Sequence, residues 1–201
     1  MTGSLLRPAM AKPYKLLTIL LILSSSSHAN NYVINTTKTN VRFSLDGFNT
    51  ANTMGGFYNI DGALQYSPSL RTGNISLTIP IKTLNTGNKV VNAKLTSKDF
   101  FDSQQFPLAH FQSTKWHFNN HQTTPKVIQV DGNLTLHGNT HPISLKASTF
   151  NCYESTVQED NICSGIFTTT IDRTQWAINK FTLFGNTKNL TLNIQVAATR
   201  Q

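Results

Sequence analysis

Val130-Asp131-Gly132-Asn133-Leu134-Thr135-Leu136-His137-Gly138-Asn139-Thr140-His141-Pro142 is the stretch that decides the fold. Val130, Leu134 and Leu136 share the two-residue period of a strand with one apolar face. His137-Gly138-Asn139, with Pro142 behind it, is turn chemistry, and Leu145 and Ala147 then resume the alternation. The stretch predicts two strands, about 126–137 and 141–150, paired as an antiparallel hairpin.

The same grammar extends in both directions. Val41, Phe43 and Leu45 point one way; Ile75, Leu77, Ile79 and Ile81 repeat the pattern, as do Leu190, Leu192, Ile194 and Val196. Further candidates bring the set to 39–46, 54–66, 73–81, 108–118, 126–137, 141–150, 164–172 and 188–198, with turn signals at Ser67-Pro68, Thr72-Gly73 and Gly185-Asn186. Gly55-Gly56 inside the second candidate predicts a bulge or sharp bend, the device by which a sheet curls. Eight antiparallel strands, each with one apolar face, close into an all-β barrel whose lumen has room for one small ligand.

One segment breaks the alternation. In 82–107, Val91, Leu95 and Lys98 or Asp99 fall at helical spacing, predicting a short helical connection between the third and fourth strands. Ser97 is placed to cap a second short turn carrying Phe100 and Phe101. Phe100, Phe101 and Phe106 are more apolar area than a surface loop leaves wet, so they are expected to bury at one mouth of the barrel. There they close the core, with or without touching a ligand.

The chain has 201 residues, 38% hydrophobic and 13% charged, enough for one globular domain and no linker. Arg7, Lys12 and Lys15, the apolar run Leu16 to Leu23 and the small residues Ser27-His28-Ala29 read as a secretory signal peptide over 1–29, cleaved after Ala29. A retained anchoring N-terminus is the competing reading. Residues 30–201 would then form the exported barrel domain, periplasmic or secreted. It keeps 14 basic against nine acidic residues, spread through the chain. A dispersed, mild excess on an exported protein excludes a nucleic-acid partner and leaves room for transient contact with an anionic membrane surface. Cys152 and Cys163, close together in such a chain, are expected to form a disulfide pinning one hairpin tip.

Several of these segments, in order, resemble the YceI family, exported lipocalin-like proteins associated with polyisoprenoid lipids. The resemblance runs from Tyr32-Val33-Ile34-Asn35 through Gly62-Ala63-Leu64-Gln65-Tyr66-Ser67-Pro68 and Leu95-Thr96-Ser97-Lys98-Asp99-Phe100-Phe101-Asp102. It continues through the opening stretch, 130–142, to Ile171-Asp172-Arg173-Thr174. It implies a lipocalin-like barrel and, as ligand, an isoprenoid chain of quinone or polyprenyl type lying in the lumen. Two departures from the family pattern bear on local geometry. Asn35 stands where Asp is common, and Ala177 follows Trp176 where Gly is usual, which leaves open whether a positive-φ turn survives there.

Catalytic, cofactor and metal chemistry are not expected. The chain has no Gly-x-Ser-x-Gly elbow and no phosphate-binding glycine loop, and its nine carboxylates are scattered. His117 with His121, and His137 with His141, share a spacing that converges on a helix but not on a strand end or turn, so His137 is read as bonding turn backbone. Arg173 is read as pairing with a carboxylate or capping loop carbonyls, and Trp176 as sealing the barrel end or touching ligand. The expected lumen residues are Phe43, Leu45, Phe57, Leu64, Leu77, Ile79, Phe111, Leu134, Leu136 and Trp176, with Phe100, Phe101 and Phe106 near one mouth. The alternative function is a secreted stress-related or interaction protein with a self-filled barrel that binds a protein partner; an open lumen of roughly 300 Å³ or more separates the two. Oligomeric state is not legible.

Overall fold

In a computed structural model, Gly3 and residues 29–45, 55–120, 125–154, 161–180 and 188–201 are described. The expected leader lies outside these residues except for Gly3 and Ala29, as do the Gly185-Asn186 turn and His121. The deciding hairpin forms as expected. Strands β7 (Val127–Leu136) and β8 (Asn139–Glu154) pair antiparallel, with Leu136 opposite Asn139. Only His137 and Gly138 make the turn, with φ of 48° and 74°. A two-residue turn with both residues left-handed matches the strand twist.

The other strands are β1 (Asn30–Ile34), β2 (Asn40–Leu45), β3 (Gly55–Phe57), β4 (Asp61–Ser67) and β5 (Thr72–Pro80), then β6 (Leu108–Phe118), β9 (Asn161–Asp172) and β10 (Asn189–Arg200). Ten segments make eight staves. β1 and β2 both run antiparallel to β10, β1 beside its end at Ala198 to Arg200 and β2 beside Leu190 to Gln195. They are one stave, interrupted at Asn35 to Thr39. β3 pairs with β2 and β4 with β1, so these two form the second stave, and the β1–β10 pairing closes an eight-stranded antiparallel barrel.

The strand 30–34 is not among the eight expected, because the interruption hides its alternation. Across that gap the buried Thr39 stands in for the missing ladder, its Oγ1 accepting from Ala197 N at 3.1 Å and donating to Ala197 O at 3.2 Å. Asn35 Oδ1 accepts from the backbone of Thr37 and Lys38, holding the turn without an acid.

Two local expectations are corrected. The second stave breaks at residues 58–60, where Asn59 has φ 54°, and not at Gly55-Gly56. The glycines instead let residues 85 and 86 lie against β3: a Cβ on Gly55 would stand 2.8 Å from Thr86 Cγ2. Thr72-Gly73 is not a turn but the start of β5, the turn being residues 68–71. Gly73 makes room for the Trp116 ring, 2.4 Å from where its Cβ would be.

Cys152 and Cys163 are register partners on β8 and β9 and are joined by a disulfide, two pairs inside the end of that hairpin. At this end of the barrel, Tyr66, Trp116 and Phe150 pack edge-on or tilted within 5.7 Å of one another and plug the interior. Aromatic burial of this kind contributes roughly 1.5–3 kcal/mol per ring.

The opposite end carries the excursion between β5 and β6. Helix α1 (Lys89–Thr96) begins at Asn88, whose side chain accepts from Val90 N and Val91 N. Ser97 ends this helix, its Oγ donating to Lys94 O at 2.7 Å, and opens the expected turn carrying Phe100 and Phe101 through its carbonyl, which accepts from Phe100 N and Asp102 N, rather than through its side chain. Ile81 N donates to Pro107 O, so the excursion leaves and rejoins the barrel at adjacent strands as a lid.

Candidate functional site

Below the lid the lumen holds a cavity of about 70 Å³ with a wholly apolar lining. All eight staves contribute, the second through Phe57 of β3 and not through β4. Of the expected lumen residues, Phe57, Leu77, Ile79, Phe101, Phe111, Leu134 and Leu136 line it. A smaller void of about 10 Å³ shares Leu77, Phe111, Leu145 and Ile194 and leads on past Ile75 and Phe167 toward the aromatic plug. An apolar void of this kind has no partners to hold water.

Other expected residues are buried elsewhere. Phe43 packs on Phe57 with centroids 5.6 Å apart, and Leu64 and Phe100 are buried without lining the cavity. Phe106 is not at the cavity mouth. Its ring is half-buried, 4.6 Å from that of His137 and against Gly138, and ties the lid to the β7–β8 turn. The Leu45 side chain lies outside what is described.

Val41, Ile81, Ala109, Ile143, Leu145, Ile171, Leu190, Leu192 and Ile194 line the cavity without having been singled out. All but Ile171 are in phase with a residue already placed on an inward face, so for them the signal was present. Depth along the stave was not: phase says which side chains point inward, and the plug and lid decide which half of the lumen stays open.

Trp176 resolves as a seal. It is 0% exposed and absent from the lining, its Nε1 donates to Leu134 O at 3.0 Å, and the His141 ring meets it edge-on at 5.1 Å. His137 Nδ1 is 3.1 Å from Trp176 O, so both histidines serve this seal. The bond runs to the segment after β9 rather than within the histidine's own turn. Among the described residues no group of three or more His, Cys, Asp or Glu is placed to hold a metal.

Trp176 ends a 3-10 turn, Arg173–Trp176, capped by Asp172, whose Oδ1 accepts from Thr174 N and Oγ1. Those bonds, the hydroxyl one first, hold the Asp172 carboxyl below the usual range. The buried Arg173 donates to Ile178 O at 2.8 Å and Lys180 O at 2.7 Å, capping loop carbonyls as expected. Ala177 keeps the left-handed turn, with φ 58° and its N–H shared by Arg173 O and Thr174 O.

The lining offers shape and apolar contact but no nucleophile, base or charge. At 70 Å³ the void is smaller than the roughly 300–1,000 Å³ of sites that enclose drug-sized ligands. A long chain enters only when lining side chains move, and Phe101 and Ile81, contributed by the lid and its hinge, are the ones not held in a strand.

A family model, the YceI-like domain, matches residues 32–199. A UPF0312 protein of Vibrio cholerae is 25% identical over 134 residues, 65% of this chain and 69% of that protein. Among solved structures, Burkholderia cenocepacia BcnA superposes with a TM-score of 0.67 at 19% identity, covering 83% of this chain and 99% of its own. A polyisoprenoid binding domain from Saccharophagus degradans superposes with a TM-score of 0.58 at 12% identity, covering 85% and 98%. At these identities the two structures show a shared fold.

Proposed function

The chain belongs to the YceI-like family, and from that premise we propose that it is an exported, non-catalytic lipid-binding protein. It holds the isoprenoid chain of a quinone or polyprenyl lipid in its lumen, for carriage or storage, without a cofactor. The observation that carries this reading is the cavity: sixteen side chains from all eight staves and the lid converge on it and none brings a polar group. The polyisoprenoid-binding neighbour with the same fold supports the ligand class. Each buried CH₂ contributes roughly 0.8 kcal/mol, so a few isoprene units reach micromolar affinity, about −8 kcal/mol, after the costs of association. Export is supported by the leader-like residues 1–29 and by the disulfide.

Native mass spectrometry of protein purified without detergent, followed by solvent extraction, tests the reading. A stoichiometric isoprenoid mass supports it. The small void favours a second reading, a self-filled barrel that binds a protein partner as a secreted stress-related or interaction protein. A protein that stays ligand-free after incubation with quinones and polyprenyl lipids would count against the first reading and favour the second.

A further inference from the structure

We propose that the outer face of the lid docks the barrel, cavity end first, onto an anionic lipid bilayer. Leu95 packs α1 on the core, and Asn92 Oδ1 accepts from Thr86 N and Oγ1 within the lid. The opposite face carries Val90, 79% exposed, whereas Val91, 37% exposed, lies on the Leu95 side. A single exposed apolar residue is ordinary on a surface. Here Val90 stands in the first turn of a helix whose neighbourhood is cationic. Residues 82–98 contain four lysines and no acid, all four exposed. Lys180, from the loop after Trp176, joins Lys94 and Lys98 around Asp99 and, with the Lys94 hydrogen bond as the largest contribution, holds its carboxyl below the usual range. One carboxylate faces three cations, so the patch keeps a positive excess at the lid.

Position adds the second argument. Asp99 is followed directly by Phe100 and Phe101, and Phe101 lines the cavity. Lys94, Lys98 and Lys180 therefore stand at the lid end of the lumen, while the other end is plugged by Tyr66, Trp116 and Phe150. The exposed Val90, flanked by lysines, matches the interface of an anionic bilayer, which takes apolar side chains below a layer of negative charge. The docking is read from the surface alone and stands whether or not the lumen takes an isoprenoid.

The test is co-sedimentation of the purified protein with vesicles of equal parts phosphatidylglycerol and phosphatidylcholine, against pure phosphatidylcholine, both free of isoprenoids. Binding to the anionic vesicles alone, weakened by salt, is expected. Lys94→Gln/Lys98→Gln/Lys180→Gln should weaken it by roughly 100-fold, about fivefold per lysine, while Lys115→Gln/Lys126→Gln, away from the lid, should not. Because these side chains are exposed, folding is preserved. A Val90→Trp variant should shift its fluorescence to the blue on binding. Equal binding to neutral vesicles, no binding to either, an unchanged affinity in the triple variant, or an unshifted Val90→Trp spectrum would each overturn the proposal. If no vesicle binds, an acidic protein partner becomes the occupant to seek.

Discussion

Phe101 of the lid meets Phe57 of β3 edge-on, ring centroids 5.4 Å apart and planes at 88°, and both rings line the cavity. The pair joins the only non-strand aromatic in the lining to the barrel wall, and Phe101 is held from behind by its N–H donating to Leu95 O. Opening the lumen therefore means separating these two rings.

Removing one of them should speed ligand exchange at a cost in stability. Phe101→Ala is expected to destabilise by about 3 kcal/mol and to accelerate uptake of a fluorescent farnesyl analogue several-fold in stopped-flow measurements. Phe57→Ala should act in the same direction. Unchanged uptake rates in both would place the route into the lumen elsewhere.

Filling the void should do the opposite. Ile79 and Leu136 line the cavity from β5 and β7, and Ile79→Trp or Leu136→Trp should lower affinity for the same probe at least tenfold. The strain of the added ring, typically 1–3 kcal/mol, is partly offset by the space it occupies, so the thermal midpoint should fall by a few degrees. Full affinity in both folded variants would rule out a luminal site.

Acid should weaken the fold through Asp131, on the outer face of β7. Its carboxylate accepts from His117 Nε2 at 2.6 Å, Ser144 Oγ at 2.7 Å and Gln129 Nε2 at 2.7 Å. The His117 bond foremost, then that of Ser144, lowers its pKa from 3.8 to about 2. A carboxyl depressed on folding contributes stability above its unfolded pKa and loses it as pH falls through the folded value, here between about 4 and 2. The side chain is partly solvated, which screens the contribution to about 1 kcal/mol. Asp131→Asn should flatten this part of the acid limb in urea titrations; an unchanged slope would assign it to other carboxyls.

At Ala177 a substitution should stabilise. Its φ of 58° is in the left-handed region, which costs a non-glycine residue roughly 1–2 kcal/mol. Ala177→Gly removes that strain but adds backbone freedom to the unfolded chain, for a net gain of up to about 1 kcal/mol. A rise of a few degrees in the thermal midpoint is expected, and Ala177→Val should lower it.

The eight-stave barrel, the lid between the third and fourth staves and the disulfide pair were all legible in the residues, since each rests on local period, turn chemistry or spacing. The interruptions of the first two staves were not. Whether β1 continues β2 is settled by their shared neighbour β10, more than 140 residues away in sequence. Trp176 carried no mark saying seal rather than ligand contact. Its role follows from Leu134 O and the His141 ring, supplied by a different hairpin.

Gly132 and Phe111 draw the final division. From the sequence alone, alternation puts Gly132 and Phe111 on inward faces of their strands, because a pleated backbone sends every second side chain to one side. Only the folded barrel lays the Phe111 ring across Gly132, 2.4 Å from where a Cβ would stand, just as it lays Trp116 across Gly73. The one-dimensional pattern determined which side chains enter the lumen, since that is a property of a single strand. How deep each ring reaches, and so where the void is left, depends on register between strands and on packing across the barrel. Those distances do not exist until the barrel has closed.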